Sequence, residues 1–190
     1  MKLLYFPIKA RNVLPLYLAK KGSLTCALET PVWPEYKANT VFGQLPQLEW
    51  DGGKMAQSMA IARFISRKAG MDGKSDEDFR QSEMLLELMV EVYDTLKAAH
   101  VYNLGGTPAE KVPELATTLR TLFKHMNGMV DASRGTAGDY ACVAACISCD
   151  QFDLNDILAD APKVKALYEA EKAVVDELFG AYGAWFKPLK

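Results

Sequence analysis

Histidine occurs only twice in this chain of 190 residues and cysteine only four times; neither charge predominates, since 22 Lys and Arg face 24 Asp and Glu. Each scarcity excludes something. His100 and His125 lie far in sequence from the cysteines, so a zinc-type ligand set lacks a convincing fourth member. Cys26 stands alone, and Cys142, Cys146 and Cys149 crowd one segment, unlike a secreted disulfide framework. Lys and Arg are scattered, so there is no basic footprint for nucleic acid and no polybasic patch for a membrane surface. Long apolar runs are missing too. MKLLYFPIKAR is interrupted by Pro7 and Lys9, which leaves it too short for a signal peptide, and no later stretch approaches a membrane span. The expectation is a cytoplasmic protein with no nucleic-acid or membrane partner. What is present is ordinary globular material, 49% apolar and 24% charged, without repeats and long enough for one sizeable core or two small ones.

Two rhythms divide the chain. Residues 2–6 (KLLYF) read as a short buried strand stopped by Pro7. Residues 12–22 read as a helix with Asn12 as N-cap, Pro15 in the tolerated first turn and Gly22 after two lysines. SLTCALE (23–29) returns as a strand, and 30–39, with two prolines, as an irregular link. A strand at 46–50, the Asp51-Gly52-Gly53 turn and a strand at 54–57 form a hairpin. Ser58 then caps a helix to about 69, with Met59, Ile61, Ala62, Phe64 and Ile65 at helical spacing. After 70–78 the strands cease. A long amphipathic pattern spans 77–102, and further helices are expected near 108–129, 137–150 and 163–180. Strands mixed with helices, followed by helices alone, predict two domains, 1–72 and 77–190.

The cysteine segment needs separate treatment. Cys146-Ile147-Ser148-Cys149 is formally C-x-x-C, but Cys142, Cys146 and Cys149 at i, i+4 and i+7 share one helical face. A buried apolar stripe is the simpler reading than a redox pair.

The unit βαβ joined to ββα, with Pro46 opening the third strand, resembles the thioredoxin-like arrangement. With LLYF at 3–6, Arg11, WPEYK at 33–37, FGQLPQLEWDG at 42–52 and QSMAIARF at 57–64, the chain resembles the cytosolic glutathione S-transferases, nearest the sigma class. The resemblance implies an α/β plus all-α fold: a thioredoxin-like N-terminal domain that binds glutathione and an all-helical C-terminal domain that supplies a hydrophobic substrate pocket.

Site residues follow from the same resemblance. Tyr5 would stabilise the glutathione thiolate by a phenolic hydrogen bond, since a free thiol of pKa about 8.5 is mostly protonated at neutral pH. Arg11 would support the sulfur electrostatically. Trp33 and Lys37 would hold the glycyl carboxylate, with Gln44 beside them. The Leu45–Pro46 bond would be cis, presenting the Leu45 main chain to the cysteinyl backbone as a strand edge does. Gln57 and Ser58, at a helix start with unsatisfied N–H groups, would receive the γ-glutamyl carboxylate. On residue chemistry alone the plainer readings stand: Tyr5 as a core tyrosine, Pro46 as a trans edge-strand proline, and Ser58 as a cap.

Departures from the family pattern also carry information. Relatives place a glycine before the sulfur-side arginine, where this chain has Ala10. Their acidic run resembling DTLDD on the long helix reads Asp94-Thr95-Leu96-Lys97-Ala98 here, so Asp94 is read as a solvated surface charge. Thr136-Ala137-Gly138-Asp139 matches a capping box in the helical domain, with Gly138 weakening the first turn. The implied function is a homodimeric, tyrosine-type glutathione transferase for detoxification, conjugating hydrophobic electrophiles, with Phe42 near the partner subunit. The electrophile would lie between the Phe6–Arg11 loop and Lys97–Tyr102, closed by Tyr182, Trp185 and Phe186. A glutathione-dependent prostaglandin-type isomerase and a non-enzymatic, crystallin-like or ligand-carrying protein share the same glutathione residues. A thiol oxidoreductase is disfavoured, because no cysteine stands near 7–11.

Overall fold

The computed structural model describes residues 1–101, 112–150 and 152–180. Strand β1 (Lys2–Leu4), helix α1 (Val13–Lys21), strand β2 (Ala27–Glu29), a 3-10 turn (Glu35–Asn39), strands β3 (Gln47–Trp50) and β4 (Gly53–Ala56) and helix α2 (Ser58–Ala69) make the first domain. Helices α3 (Asp76–Val101), α4 (Val112–Met129), α5 (Ala137–Ser148), α6 (Leu154–Ile157) and α7 (Pro162–Phe179) make the second. The sheet order is β2-β1-β3-β4, with β1 parallel to β2 and antiparallel to β3. This is the thioredoxin-like unit followed by a helical domain.

Alternation along the strands separates core from solvent. Leu3 pairs with Leu48 across β1 and β3, and both are fully buried with Leu14 and Leu18 of α1 and Ile61 and Ile65 of α2. On the neighbouring register position Lys2 faces Glu49, and its ammonium reaches Glu29 at 3.2 Å and Glu49 at 3.4 Å. These exposed pairs contribute little stability but keep that face polar. The two-residue Asp51-Gly52 turn closes β3 onto β4 in the register Trp50 opposite Gly53, as Asp-Gly between apolar runs predicts.

Helices α1 and α5 join the two domains. Every residue of α1 from Val13 to Ala19 is buried, and so is every residue of α5 except the half-buried Tyr140. A helix apolar all round belongs in an interior. The small side chains of α5 let α3 approach closely: a Cβ on Gly138 would come within 2.4 Å of the Ser82 carbonyl oxygen. Gly138 is thus required by packing, a role that its low helix propensity hid. The capping box is present, with Thr136 and Asp139 bonding reciprocally. Asp139 also receives Arg134, whose Nη2 lies 2.6 Å from its Oδ1 with both side chains buried. Cys142, Cys146 and Cys149 are fully buried and unpaired. Burial pushes each thiol well above its usual range, which favours the uncharged, unreactive form.

Several expectations about local structure need correction. Tyr5 and Phe6 lie just beyond β1, although the Tyr5 N–H still donates to the Glu29 carbonyl. Residues 23–26 are outside β2, and Ala56 ends β4. Ser58 is the first helical residue and not the cap; Gln57 holds that position with φ +73° and no side-chain capping bond. Asn12 sits at the N-cap of α1, yet its Oδ1 accepts from the Ala10 N–H and caps nothing in the helix. The single turn α6 and a cis Trp33–Pro34 bond had no sequence signal that we read. Among the described residues no helix is long and apolar enough to cross a membrane. Residues 102–111 and the aromatics Tyr182, Trp185 and Phe186 lie outside the described residues.

Candidate functional site

A cleft of about 460 Å³ opens where the first domain meets α3. Three segments of the first domain build it. The β1–α1 loop contributes Phe6 and Arg11, the turn around Pro34 contributes Trp33, and the approach to β3 contributes Gln44, Leu45 and Pro46. Gln57 and Ser58 complete the wall at the start of α2, and Lys97 enters from α3. The Leu45–Pro46 bond is cis. Phe6 and Trp33 meet edge to face with centroids 5.8 Å apart, a favourable aromatic geometry.

Seven of the nine residues expected at the site therefore line one cleft. The other two adjoin it. Lys37 is exposed, and its Cε would be 3.3 Å from a Cβ on the cleft residue Gly43. Tyr5 is buried behind Phe6, ring centroids 5.6 Å apart. Burial raises the Tyr5 hydroxyl above its ordinary value, while the Arg11 backbone and the Arg11 charge pull it back only in part. The phenol is consequently a neutral donor throughout the physiological range, the form needed to hydrogen-bond an anion.

Helix α3 organises the loop that carries Arg11. The guanidinium donates from Nη2 to Asp94 Oδ1 at 3.0 Å and lies 5.0 Å from the Tyr93 ring centre. The buried Tyr93 hydroxyl donates to the Ala10 carbonyl at 3.2 Å. Lys9 pairs with Asp150 just beyond α5. Asp94, read from the sequence as a solvated surface charge, is thus an ion-pair partner of a cleft residue. Tyr93 was not selected at all, and Lys97 was named only as one edge of the expected electrophile region, not as a site residue. The signal for Tyr93 was the i, i+4 spacing that puts it on one face of α3 with Lys97.

Gln57 adds a backbone feature. A positive φ is rare for a residue with a side chain and costs roughly 1–3 kcal/mol where it persists. Its occurrence at the strand-to-helix junction, beside the first N–H groups of α2, marks the position as one held for geometry and not for local preference. A larger groove of about 730 Å³ runs along α3 and α4 beside Met84, Leu88 and Met129. None of the nine expected site residues lines it. Among the described residues no group of three His, Cys, Asp or Glu side chains converges to hold a metal ion.

Fold and cleft together define a thioredoxin-like domain with a peptide-sized polar site, backed by a helical domain. No protein-family model matches the chain. It is 49% identical over 124 residues to glutathione S-transferase 2 of Manduca sexta, spanning 61% of either chain. It is 31% identical over 113 residues to probable glutathione S-transferase 6 of Caenorhabditis elegans, covering 58% of this chain and 55% of that one. These matches leave well over a third of each relative's length unmatched. The crystal structure of Na-GST-3, a glutathione S-transferase of the hookworm Necator americanus described as monomeric, shares the fold with a TM-score of 0.80. That likeness covers 97% of this chain and 98% of that one at 22% identity. The chain is thus similar in sequence to glutathione S-transferases over part of its length and shares their fold over nearly all of it. Structures of the same fold bear Nu-class and Pi-class names, so the fold does not assign the chain to the sigma class.

Proposed function

We propose that the protein conjugates glutathione to hydrophobic electrophiles, with residues 1–72 forming the glutathione-binding unit and 77–190 the unit facing the second substrate. The observation that carries this reading is the convergence of Arg11, Trp33, Gln44, Leu45, Pro46, Gln57 and Ser58 on one cleft from separate segments. The γ-glutamyl carboxylate would meet Gln57, Ser58 and the free N–H groups of α2. The Leu45 main chain would pair with the cysteinyl residue, and Trp33, Lys37 and Gln44 would take the glycyl end.

Tyr5 would act as a neutral donor to the sulfur, lowering the thiol pKa by stabilising the anion, with the Arg11 charge as second support. The thiolate attacks the electrophilic carbon: a carbon–sulfur bond forms, the leaving group departs with its electron pair, and the thiol proton passes to solvent. The chain would be of the tyrosine type and of the sigma class, on the strength of LLYF, Arg11 and the 42–52 segment. A cytoplasmic location is the reading consistent with its composition. A homodimer is supported by the exposed Phe42, 62% accessible, and by the apolar groove on α3 and α4 that could receive it; sedimentation equilibrium reads this directly.

The test is conjugation of glutathione to a simple aromatic electrophile, wild type against Tyr5→Phe. Losing one hydrogen bond to a charged group removes about 1.5–3 kcal/mol, so kcat/KM should fall by about tenfold to a hundredfold. Equal rates would remove Tyr5 from the chemistry. Retention on immobilised glutathione without turnover would favour a ligand carrier.

A further inference from the structure

One cation in the cleft has no task in the conjugation just proposed. Lys97 lines the cleft from α3, one helical turn beyond Asp94 and Tyr93, the two residues that hold Arg11. Asp94 is engaged by Arg11 at 3.0 Å, so the carboxylate nearest in the helix is already committed to another cation. Lys97 itself is exposed. The groups suited to the two ends of glutathione come from the first domain, at Gln57–Ser58 and at Trp33, Lys37 and Gln44. Lys97 instead enters from the helical domain, which faces the second substrate. The same cleft is lined by the edge-to-face pair of Phe6 and Trp33.

From this juxtaposition we propose that Lys97 selects electrophiles that are flat and apolar but carry an anionic group, a carboxylate in particular. The proposal rests on the conjugating role given above. An ammonium at the rim of a cleft attracts an anion at the range of a few ångströms and is screened by salt. A neutral electrophile of the same shape gains nothing from it. Selection by charge would therefore be superimposed on an aromatic contact that both share.

The test uses a matched pair of electrophiles, 4-chloro-3,5-dinitrobenzoate and its neutral carboxamide. Each loses chloride from the same ring carbon as the carbon–sulfur bond forms, the thiol proton passing to solvent. The benzoate-to-benzamide ratio of kcat/KM should fall about fivefold in Lys97→Gln, the scale of an exposed ion pair, and further in Lys97→Glu. In the wild type the same ratio should shrink as salt is raised. An unchanged ratio in both variants overturns the proposal. So does a raised KM for glutathione with the ratio unchanged, which would assign Lys97 to glutathione itself. Binding of the two preformed glutathione conjugates reads the preference without turnover. A protein that turns over neither electrophile yet still prefers the carboxylated conjugate would refute conjugation and keep the role of Lys97; equal Kd values for the two conjugates would refute that role.

Discussion

Replacing Gly138 by alanine should destabilise the protein, although alanine is the better helix former. Propensity alone favours Ala by about 1 kcal/mol in a helix interior. The structure sets a larger cost against it. The added Cβ would stand 2.4 Å from the Ser82 carbonyl oxygen, 2.6 Å from its Cα and 2.8 Å from its carbonyl carbon. All three are backbone atoms of α3, so no side-chain rotation relieves the overlap. Helix α5 must draw back by roughly 1 Å to restore a normal separation. Overpacking of this kind costs about 1–3 kcal/mol. Retreat also stretches the bond from the Gly138 N–H to Ser82 Oγ, now 2.9 Å, whose loss adds about 0.5–1.5 kcal/mol. The net is about 1–3 kcal/mol of destabilisation, or a fall in Tm of roughly 3–10 °C for a chain of this size. Thermal unfolding by circular dichroism, with the denaturant midpoint as a second reading, measures it. A rise in Tm would refute the reasoning, because it would mean that local propensity outweighs the α3–α5 contact.

Other perturbations separate site from scaffold. Gln57→Gly should leave stability unchanged or raise it by about 1 kcal/mol, since glycine adopts a positive φ freely, while raising the KM for glutathione; a large loss of stability would show that the side chain is structural. Stability should decline as pH rises above about 8.5. There the thiols of Cys142, Cys146 and Cys149 ionise in the unfolded chain, whereas burial keeps them protonated in the native one. The unfolded state then binds fewer protons than the native state, so each thiol contributes stability that is complete below that pH and lost above it. Tm measured between pH 7.5 and 10 should show this decline, and Cys142→Ala should flatten it; an identical slope in the variant would count against the cysteines as its source.

Much of the first domain was legible because its signals are local. Asp51-Gly52 between apolar runs specifies the hairpin within a few residues, and the apolar positions of α2 specify its buried face. Thr136 and Asp139 sit three residues apart, close enough for a capping box to be read without knowing what surrounds it. Other readings failed where two local rules competed. Ser58 looks like a cap because serine favours that position, but the turn out of β4 places Gln57 there instead, at a φ that no propensity would select. Asn12 occupies the expected position and uses its oxygen on Ala10, since the tight β1–α1 loop brings that N–H within reach.

The remaining facts involve residues distant in sequence. Arg11 and Asp94 are 83 positions apart, and each alone is an ordinary surface charge; only the docking of α3 against the β1–α1 loop makes them a pair beside the cleft. Gly138 read alone weakens a helix, and the backbone of Ser82 turns it into the residue that lets two helices touch. By itself the sequence determined the order of strands and helices, the hairpin and the capping box, because those depend on periodicity and turn chemistry over short spans; the expected site residues came only from its resemblance to a family. Tertiary structure decided which charges meet, which glycine must yield to a neighbouring helix and where Lys97 projects. Those outcomes depend on how helices pack, and packing joins atoms that no local pattern in the chain brings together.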